Sequence, residues 1–393
     1  MKSCDLLVVG AAGIGALSVL GGRVGDAGPE RELRRRWKAR RVLDAGGRLV
    51  TPGLVDPHTH AVFAGDRALE FEMRSQGRTY QDIAEAGGGI LSTVRATRKA
   101  SDRELAEGLR VRLDRMLENG TTTAEVKSGY GLTLKDEIRI LKVIRGMRHP
   151  IRLVPTFLGA HALPPEFRKD RKGYLDLVCD RMLPAAAPLA RFCDVFVDRG
   201  AFTLEEGKRV LKAARALGLG LKIHAEEFER TGAAAMAASL GAVSADHLMR
   251  VNASDIRALA GSGTVAVCLP VTTLFVGEPA YAPARRMLEA GCRVAITTDL
   301  NPGSSHAYSM TLAMSMAVLG LKMTPAEALA AATIHAARAI GMDREVGSLE
   351  IGKRADFVVW EATSLLQLPY TMGTNLVREV WIGGQRRVSR ALR

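Results

Sequence analysis

Disulfide pairs, long apolar runs and nucleotide-binding loops are all missing from this sequence. The five cysteines, Cys4, Cys179, Cys193, Cys268 and Cys292, are odd in number and contain no C-x-x-C pair. That argues against a disulfide framework and for reduced thiols in a cytoplasmic protein. No apolar run reaches the ~20 residues needed to span a bilayer, so no membrane partner is expected. The N-terminal MKSCDLLVVGAAGIGALSVLGG is apolar, but glycines break it throughout and Asp5 interrupts its start. It reads as two short strands and a turn rather than a signal peptide. Its GAAGIG has the wrong glycine spacing for a dinucleotide loop and lacks the ribose-binding acid.

Acidic residues are also in deficit, and the net charge is +13. The excess is local. RELRRRWKARR (31–41) carries +6 and RRVSRALR (386–393) carries +4, leaving about +3 for the rest of the chain. The segments read as a solvated loop and a frayed tail. No recognition motif accompanies them, so no specific nucleic acid is expected.

With 393 residues, 47% hydrophobic and 25% charged, the chain can build one large domain and a smaller one. Eight β-type runs alternate with amphipathic stretches: 48–60, 121–129, 151–161, 193–200, 220–228, 242–248, 264–272 and 293–303. Strands apolar on both faces, alternating with helices, predict an α/β fold, a (β/α)8 TIM-like barrel over residues 48–344. The flanks, 1–47 and 345–393, read as short strands with glycine turns that join in one composite β-sandwich.

The sequence holds eight histidines. Five fall at predicted strand C-termini: His58 and His60 on strand one, His161 on three, His224 on five and His247 on six. Asp299 ends strand eight. Active sites of such barrels occupy that rim. Residues two apart on a strand share a face, so His58 and His60 are expected to point to the barrel axis together. With His224 and Asp299 they make three imidazoles and a carboxylate, a set suited to one divalent zinc or iron with room for a water. Strand four, CDVFVDRG, has no lysine to bridge two metals. Lys127 is expected as a structural or pocket-wall lysine, and Asp198 as the ion-pair partner of Arg199 or a neighbour. His149 is expected to be solvated and His335 to pack within a helix, while His306 lies beyond the strand-eight loop, where support of the site is the lesser reading.

Several motifs carry a more specific signal. VTPGLVDPHTH with FAGDR, QDIAEAGGGILSTVRATR, KSGYGL, TFLGAHA, HAEEF, SADHL, TDLNPGSS and GSLEIGKRADFVVW together resemble the imidazolonepropionases of the amidohydrolase superfamily, over about residues 45–385. The resemblance implies hydrolysis of the lactam ring of 4-imidazolone-5-propanoate to N-formimidoyl-L-glutamate in histidine degradation, by a homodimer. It implies that Asp299, His247 and Glu227 carry the catalysis. Asp299 moves the proton of the water, His247 stabilises or orients the carbonyl, and Glu227 lies beside the ring. It implies that Arg67 meets the substrate carboxylate, and that Tyr80, Tyr130, His161, Glu227, Asn301, Gly303 and Ser304 line the substrate. Two other readings share parts of the sequence. One is a different mononuclear amidohydrolase, opening another cyclic amide or deaminating a heterocycle. The other is a non-catalytic binding barrel.

Overall fold

The computed structural model describes residues 1–78 and 88–390. Strands β1 (Lys2–Ala11), β2 (Gly15–Leu20), β3 (Arg23–Gly28) and β4 (Trp37–Asp44) form one sheet in the order β3-β2-β1-β4. The N-terminal apolar stretch thus supplies the two strands and turn that its pattern predicted, β1 and β2, to a sheet of three antiparallel strands and a parallel fourth. The barrel follows: β6 (Leu54–Asp56), β7 (Thr121–Lys127), β8 (Arg152–Ala160), β9 (Phe192–Val197), β10 (Gly220–Leu221) with β11 (His224–Ala225), β12 (Ser244–His247), β13 (Val265–Cys268) and β14 (Val294–Ile296). They run parallel in chain order, with β10 and β11 as two pieces of the fifth position. The eight predicted runs therefore all supply barrel strands.

Where β14 returns to β6, side chains and loop backbone join the two ends. The Thr297 hydroxyl lies against Asp56 and the His58 carbonyl, Thr298 Oγ1 donates to Asp56 Oδ2 at 2.5 Å, and the His60 amide donates to the Leu300 carbonyl at 2.9 Å.

Local sequence accounts for the surrounding helices. Ser101–Glu104, Thr203–Glu206, Asn252–Asp255 and Thr324–Glu327 each form a reciprocal capping box at a helix start. The apolar stripe of Asp102–Glu118, through Leu105, Leu109, Leu113 and Met116, is wholly buried against the barrel. All seven residues of β7 are buried, because helices cover one face and the barrel interior the other. That interior is layered. Val55, Val154, Val265, Val267 and Ala295 pack with the helix Ile334–Ala339. Beyond them come charged side chains and then the imidazoles.

The remaining strands, β15 (Phe357–Trp360), β16 (Val377–Ile382) and β17 (Gln385–Ser389), form a sheet completed by β5 (Val50–Pro52), in the order β17-β16-β15-β5. Leu6, Val8, Leu17, Val19 and Val24 from the N-terminal sheet share one core with Val50, Phe357, Val359 and Trp381. Two sheets from opposite chain ends thus bury their apolar faces on each other. No helix among the described residues is long and apolar enough to cross a membrane.

The basic segment 31–41 is not a loop. It is the end of a helix, Glu30–Arg36, followed by β4. Leu33 and Trp37 are buried beneath it, which its charge density conceals. Arg34 pairs with Glu30 at 2.7 Å and Arg36 with Asp26 at 2.8 Å, so part of the apparent charge is neutralised locally. The tail enters β17, and Arg390 reaches Glu118 at 3.1 Å. His149 is likewise not solvated. Its side chain is 3% exposed and its Nε2 lies 3.1 Å from Asp114.

Candidate active site

Strand β6 stops at Asp56, so the alternation of a strand does not aim His58 and His60. The loop that carries them is pinned from both sides. Thr59 Oγ1 donates to the Glu125 carbonyl (2.6 Å), the Lys127 amide donates to the Thr59 carbonyl (2.9 Å), and His60 is tied to Leu300 as above. The outcome is the expected one: both rings face the axis. His60 Nε2 lies 3.3 Å from His58 Nε2 and 3.4 Å from His224 Nε2. Asp299 Oδ1 stands 3.6 Å from His58 Nε2 and 3.7 Å from His60 Nε2. All four residues are at most 3% exposed.

The donor set fits a cation. His58 Nδ1 donates to Asp246 Oδ2 at 2.6 Å, and His224 Nδ1 donates to Asp194 Oδ1 at 3.1 Å. Ionised carboxylates accept only, so these bonds place the ring protons on Nδ1 and leave lone pairs on Nε2. Burial, then the Lys127 ammonium, holds His58 well below the usual imidazole range. Burial, then His161, does the same for His60. Lone pairs of neutral rings 3.3–3.4 Å apart repel unless something positive lies between them. Ligand atoms around a tetrahedral ion with Zn–N of ~2.0–2.1 Å are themselves about 3.3–3.4 Å apart. A second trio, His58, Asp194 and Asp246, also brings its ligand atoms within 4.8 Å, but the Lys127 ammonium already stands there, 2.7 Å from Asp194.

Asp299 is on the rim because the chain turns sharply after β14, with φ of 53° at a non-glycine residue. Thr272 Oγ1 donates to its Oδ2 (2.7 Å), and Asn301 Nδ2 donates to its backbone carbonyl (2.7 Å). Burial pushes its carboxyl up to about 7, against the pull of the Thr272 bond. His247 has φ of 80°. Its neighbour Asp246 takes the inward position on β12, and the left-handed backbone turns His247 toward the rim, with its ring 5.2 Å from that of His224. Such a conformation costs about 1–3 kcal/mol and is common where side chains must be aimed.

Glu227 Oε2 lies 3.5 Å from His247 Nδ1. Burial, then the charges of Asp299 and Asp198, raises Glu227 well above the usual carboxyl range. Its loop is held by Asp198. Oδ2 accepts the amides of Glu227 and Phe228 at 2.8 and 2.9 Å, and Oδ1 those of Arg199 and Glu229 at 2.7 and 3.0 Å. Asp198 is therefore an amide acceptor that shapes the strand-five loop, not the partner of the Arg199 side chain, which pairs with Glu229.

His161 stacks on His60 with centroids 5.0 Å apart, and its Nδ1 donates to the Gly129 carbonyl at 3.0 Å. Tyr130, buried, lies 5.5 Å from His161, ring to ring. Its SGYG loop is gathered by Glu137, which accepts the amides of Gly129, Gly131 and Leu132 at 2.8–3.0 Å. Gly129 has φ of 107°, and a Cβ there would come within 2.9 Å of His161 Nδ1. Arg67 gives its Nε and Nη2 to Glu70 Oε2 at 2.8 and 2.7 Å, so Nη1 is the end of its fork left out of that pair. A Cβ on Gly303 would overlap Nη1 at 1.9 Å. Asn301 Oδ1 accepts the amides of Gly303 and Ser304 at 2.8 and 2.7 Å, forming the loop beside Arg67. Tyr80 lies outside the described residues. His306 is at the edge, bonded to Tyr308 at 2.8 Å, and His335 Nδ1 reaches the Val294 carbonyl at 2.9 Å.

Sequence reasoning missed Asp194 and Asp246, which hold two of the three histidines. The available signal was an acid inside an apolar barrel strand: Asp194 in CDVFVD and Asp246 one before His247. Lys127 was expected as a structural or pocket-wall lysine, and its place fits the structural reading. It is fully buried beneath the imidazoles, bonded to Asp194 and Glu125.

The amidohydrolase family profile matches residues 49–387. The chain is 50% identical to the imidazolonepropionase of Symbiobacterium thermophilum over 97% of its length and 96% of the relative's. It is 48% identical to that of Geobacillus kaustophilus, over 94% of this chain and 89% of the relative. Among solved structures, a zinc-bound adenosine deaminase from Xanthomonas campestris superposes with a TM-score of 0.73 at 21% identity, covering 99% of this chain and 94% of that one. The 5-methylcytosine deaminase of Klebsiella pneumoniae with 5-fluorocytosine gives 0.76 at 15% identity, covering 100% and 98%. At those identities the likeness is one of fold.

Proposed function

The chain belongs to the amidohydrolase family and, at 45–50% identity to its curated relatives, to the imidazolonepropionases, and on that premise we propose how its residues divide the work of opening the lactam ring of 4-imidazolone-5-propanoate to N-formimidoyl-L-glutamate. It is a hydrolase of a cyclic-amide C–N bond. The observation that carries the site assignment is the convergence of three Nε2 lone pairs with an Asp299 oxygen.

His58, His60, His224 and Asp299 would hold one divalent ion, zinc or iron. Such an ion lowers the pKa of a bound water toward ~7 and polarises the substrate carbonyl. Asp299, with Oδ2 fixed by Thr272, accepts the proton that the attacking water loses and returns it to the ring nitrogen as the C–N bond breaks. His247 orients the carbonyl and donates to its oxygen as charge develops there. Glu227, its carboxyl raised by burial, lies beside His247 and holds the substrate ring by a hydrogen bond, while the single proton that the leaving nitrogen needs comes from Asp299. His161 is held in one tautomer by Gly129 and presents Nε2 to the substrate beside Tyr130. Arg67 offers Nη1 to the propionate carboxylate, and the Asn301–Gly303–Ser304 loop lies alongside. Tyr80 completes the substrate contacts in the same proposal. We also propose the division into a 48–344 barrel and an outer domain of 1–47 with 345–393, with β5 lent to the outer sheet, and assembly as a cytoplasmic homodimer.

The direct test is turnover of imidazolone propionate by the purified protein together with its metal content. Protein that contains metal yet fails to open the ring would refute the substrate. Arg67→Ala is expected to raise KM roughly 10–150-fold, the ~1.5–3 kcal/mol of a charged hydrogen bond, with kcat and metal content little changed. A KM within threefold of the parent's would remove the carboxylate from Arg67.

A further inference from the structure

Beneath the imidazoles lies a charged layer that the proposed chemistry does not use. Glu125, Lys127, Asp194, Lys222 and Asp246 are all wholly buried. Lys127 Nζ is 2.7 Å from Asp194 Oδ2, 2.8 Å from Glu125 Oε2 and 3.9 Å from Asp246 Oδ2. Lys222 Nζ is 3.3 Å from Glu125 and 3.7 Å from Asp246, and donates to the Pro57 and Ala339 carbonyls at 3.0 and 3.3 Å. Three carboxylates thus face two ammoniums in the centre of the barrel.

Burying five ionised groups is a poor way to gain stability, since well-packed apolar side chains of similar size do as well or better. The layer's connections suggest another use. Asp194 holds the ring of His224 and Asp246 the ring of His58, and among the described residues Lys127 is the side chain within ion-pair distance of both carboxylates. The backbone of the same residue grips Thr59, between His58 and His60. One residue therefore touches the supports of three imidazoles.

We infer that Lys127 is a positioning residue for the cation site: its ammonium holds Asp194 and Asp246 where each keeps a ring proton on Nδ1 and aims the opposite Nε2 at a common point. This rests on the reading of His58, His60, His224 and Asp299 as ligands. Lys222 shares Glu125 and stands as near Asp246, at 3.7 Å, but has no ion pair with Asp194, so it serves as the internal comparison for what Lys127 adds by holding the support of His224.

The test is zinc affinity, measured on full-length protein by competition with a chromophoric chelator. Lys127→Met is expected to weaken zinc binding ~10–100-fold, the range seen when the groups supporting a metal ligand are lost. Should that variant fail to fold, the paired change Lys127→Met with Glu125→Gln removes an ammonium and a carboxylate together and leaves the layer's net charge unaltered. It is compared with Lys222→Met plus Glu125→Gln. The Lys127 pair is expected to lose zinc affinity at least tenfold more than the Lys222 pair at similar thermal midpoints. Equal losses in the two pairs, or an affinity within twofold of the parent's in folded Lys127→Met, would overturn the inference. A parent protein that binds no zinc would instead overturn the ligand set, which separates the two failures.

Discussion

Asp299→Asn is expected to lower kcat by about 10²–10⁴-fold, the usual worth of a positioned proton-transfer group. The substitution keeps shape and volume. Thr272 can still donate to the amide oxygen in place of Oδ2, and the Asn301 bond to the Asp299 backbone carbonyl does not involve the changed group. What is lost is the ability to take up a proton next to His58 and His60. The amide is also a weaker cation ligand, so zinc content has to be measured on the same sample. A large loss of kcat with metal retained assigns the effect to proton transfer, and a parallel loss of metal assigns it to coordination. A kcat within tenfold of the parent's in a metal-replete variant would show that another group moves the proton. Glu227→Gln is the informative comparison, because Glu227 is a buried carboxyl beside His247 that feels the charge of Asp299.

The second large effect is on stability. Trp360→Ala should destabilise the protein by about 3–5 kcal/mol, as truncations of large buried aromatic residues do. Trp360 is fully buried at the end of β15, its Nε1 donates to Thr51 Oγ1 at 2.9 Å, and its ring approaches Gly120 at the start of β7. It therefore fills the seam where the outer sheet meets the barrel, one residue past the Val359–Val50 pairing. Just beyond, Gly53 leads into β6, and a Cβ on Gly53 would strike Thr122 at 2.3 Å. Trp360→Phe keeps most of the bulk and forfeits the indole hydrogen bond, for about 1 kcal/mol. Urea midpoints check the ordering. A Trp360→Ala midpoint no lower than that of Trp360→Phe would mean that the ring does not hold the seam.

Particular residues explain how much was legible in advance. The eight barrel strands could be read because runs buried on both faces, alternating with capped helices, are a property of the chain itself. So could the rim positions of His58, His60, His161, His224, His247 and Asp299, which follow from where each strand stops. The basic segment 31–41 was misread for a physical reason: its arginines dominate the composition, while Leu33 and Trp37, which decide its structure, are only two residues. His149 and Asp198 were misjudged because local sequence does not reveal an acid 35 residues upstream or a loop of amides from the next strand.

The sequence alone determined the barrel, the order of its strands and which residues stand at its rim, because hydrophobic periodicity and capping act over a few residues. Only the tertiary structure decided which of those residues meet. His58 with Asp246, His224 with Asp194, and Lys127 with both acids join strands far apart in the chain. Left-handed backbone at His247 and Asp299 then sets their directions. Those pairings exist only once the sheet has curled nearly closed and excluded water from its axis, where a carboxylate must find a partner or go uncharged.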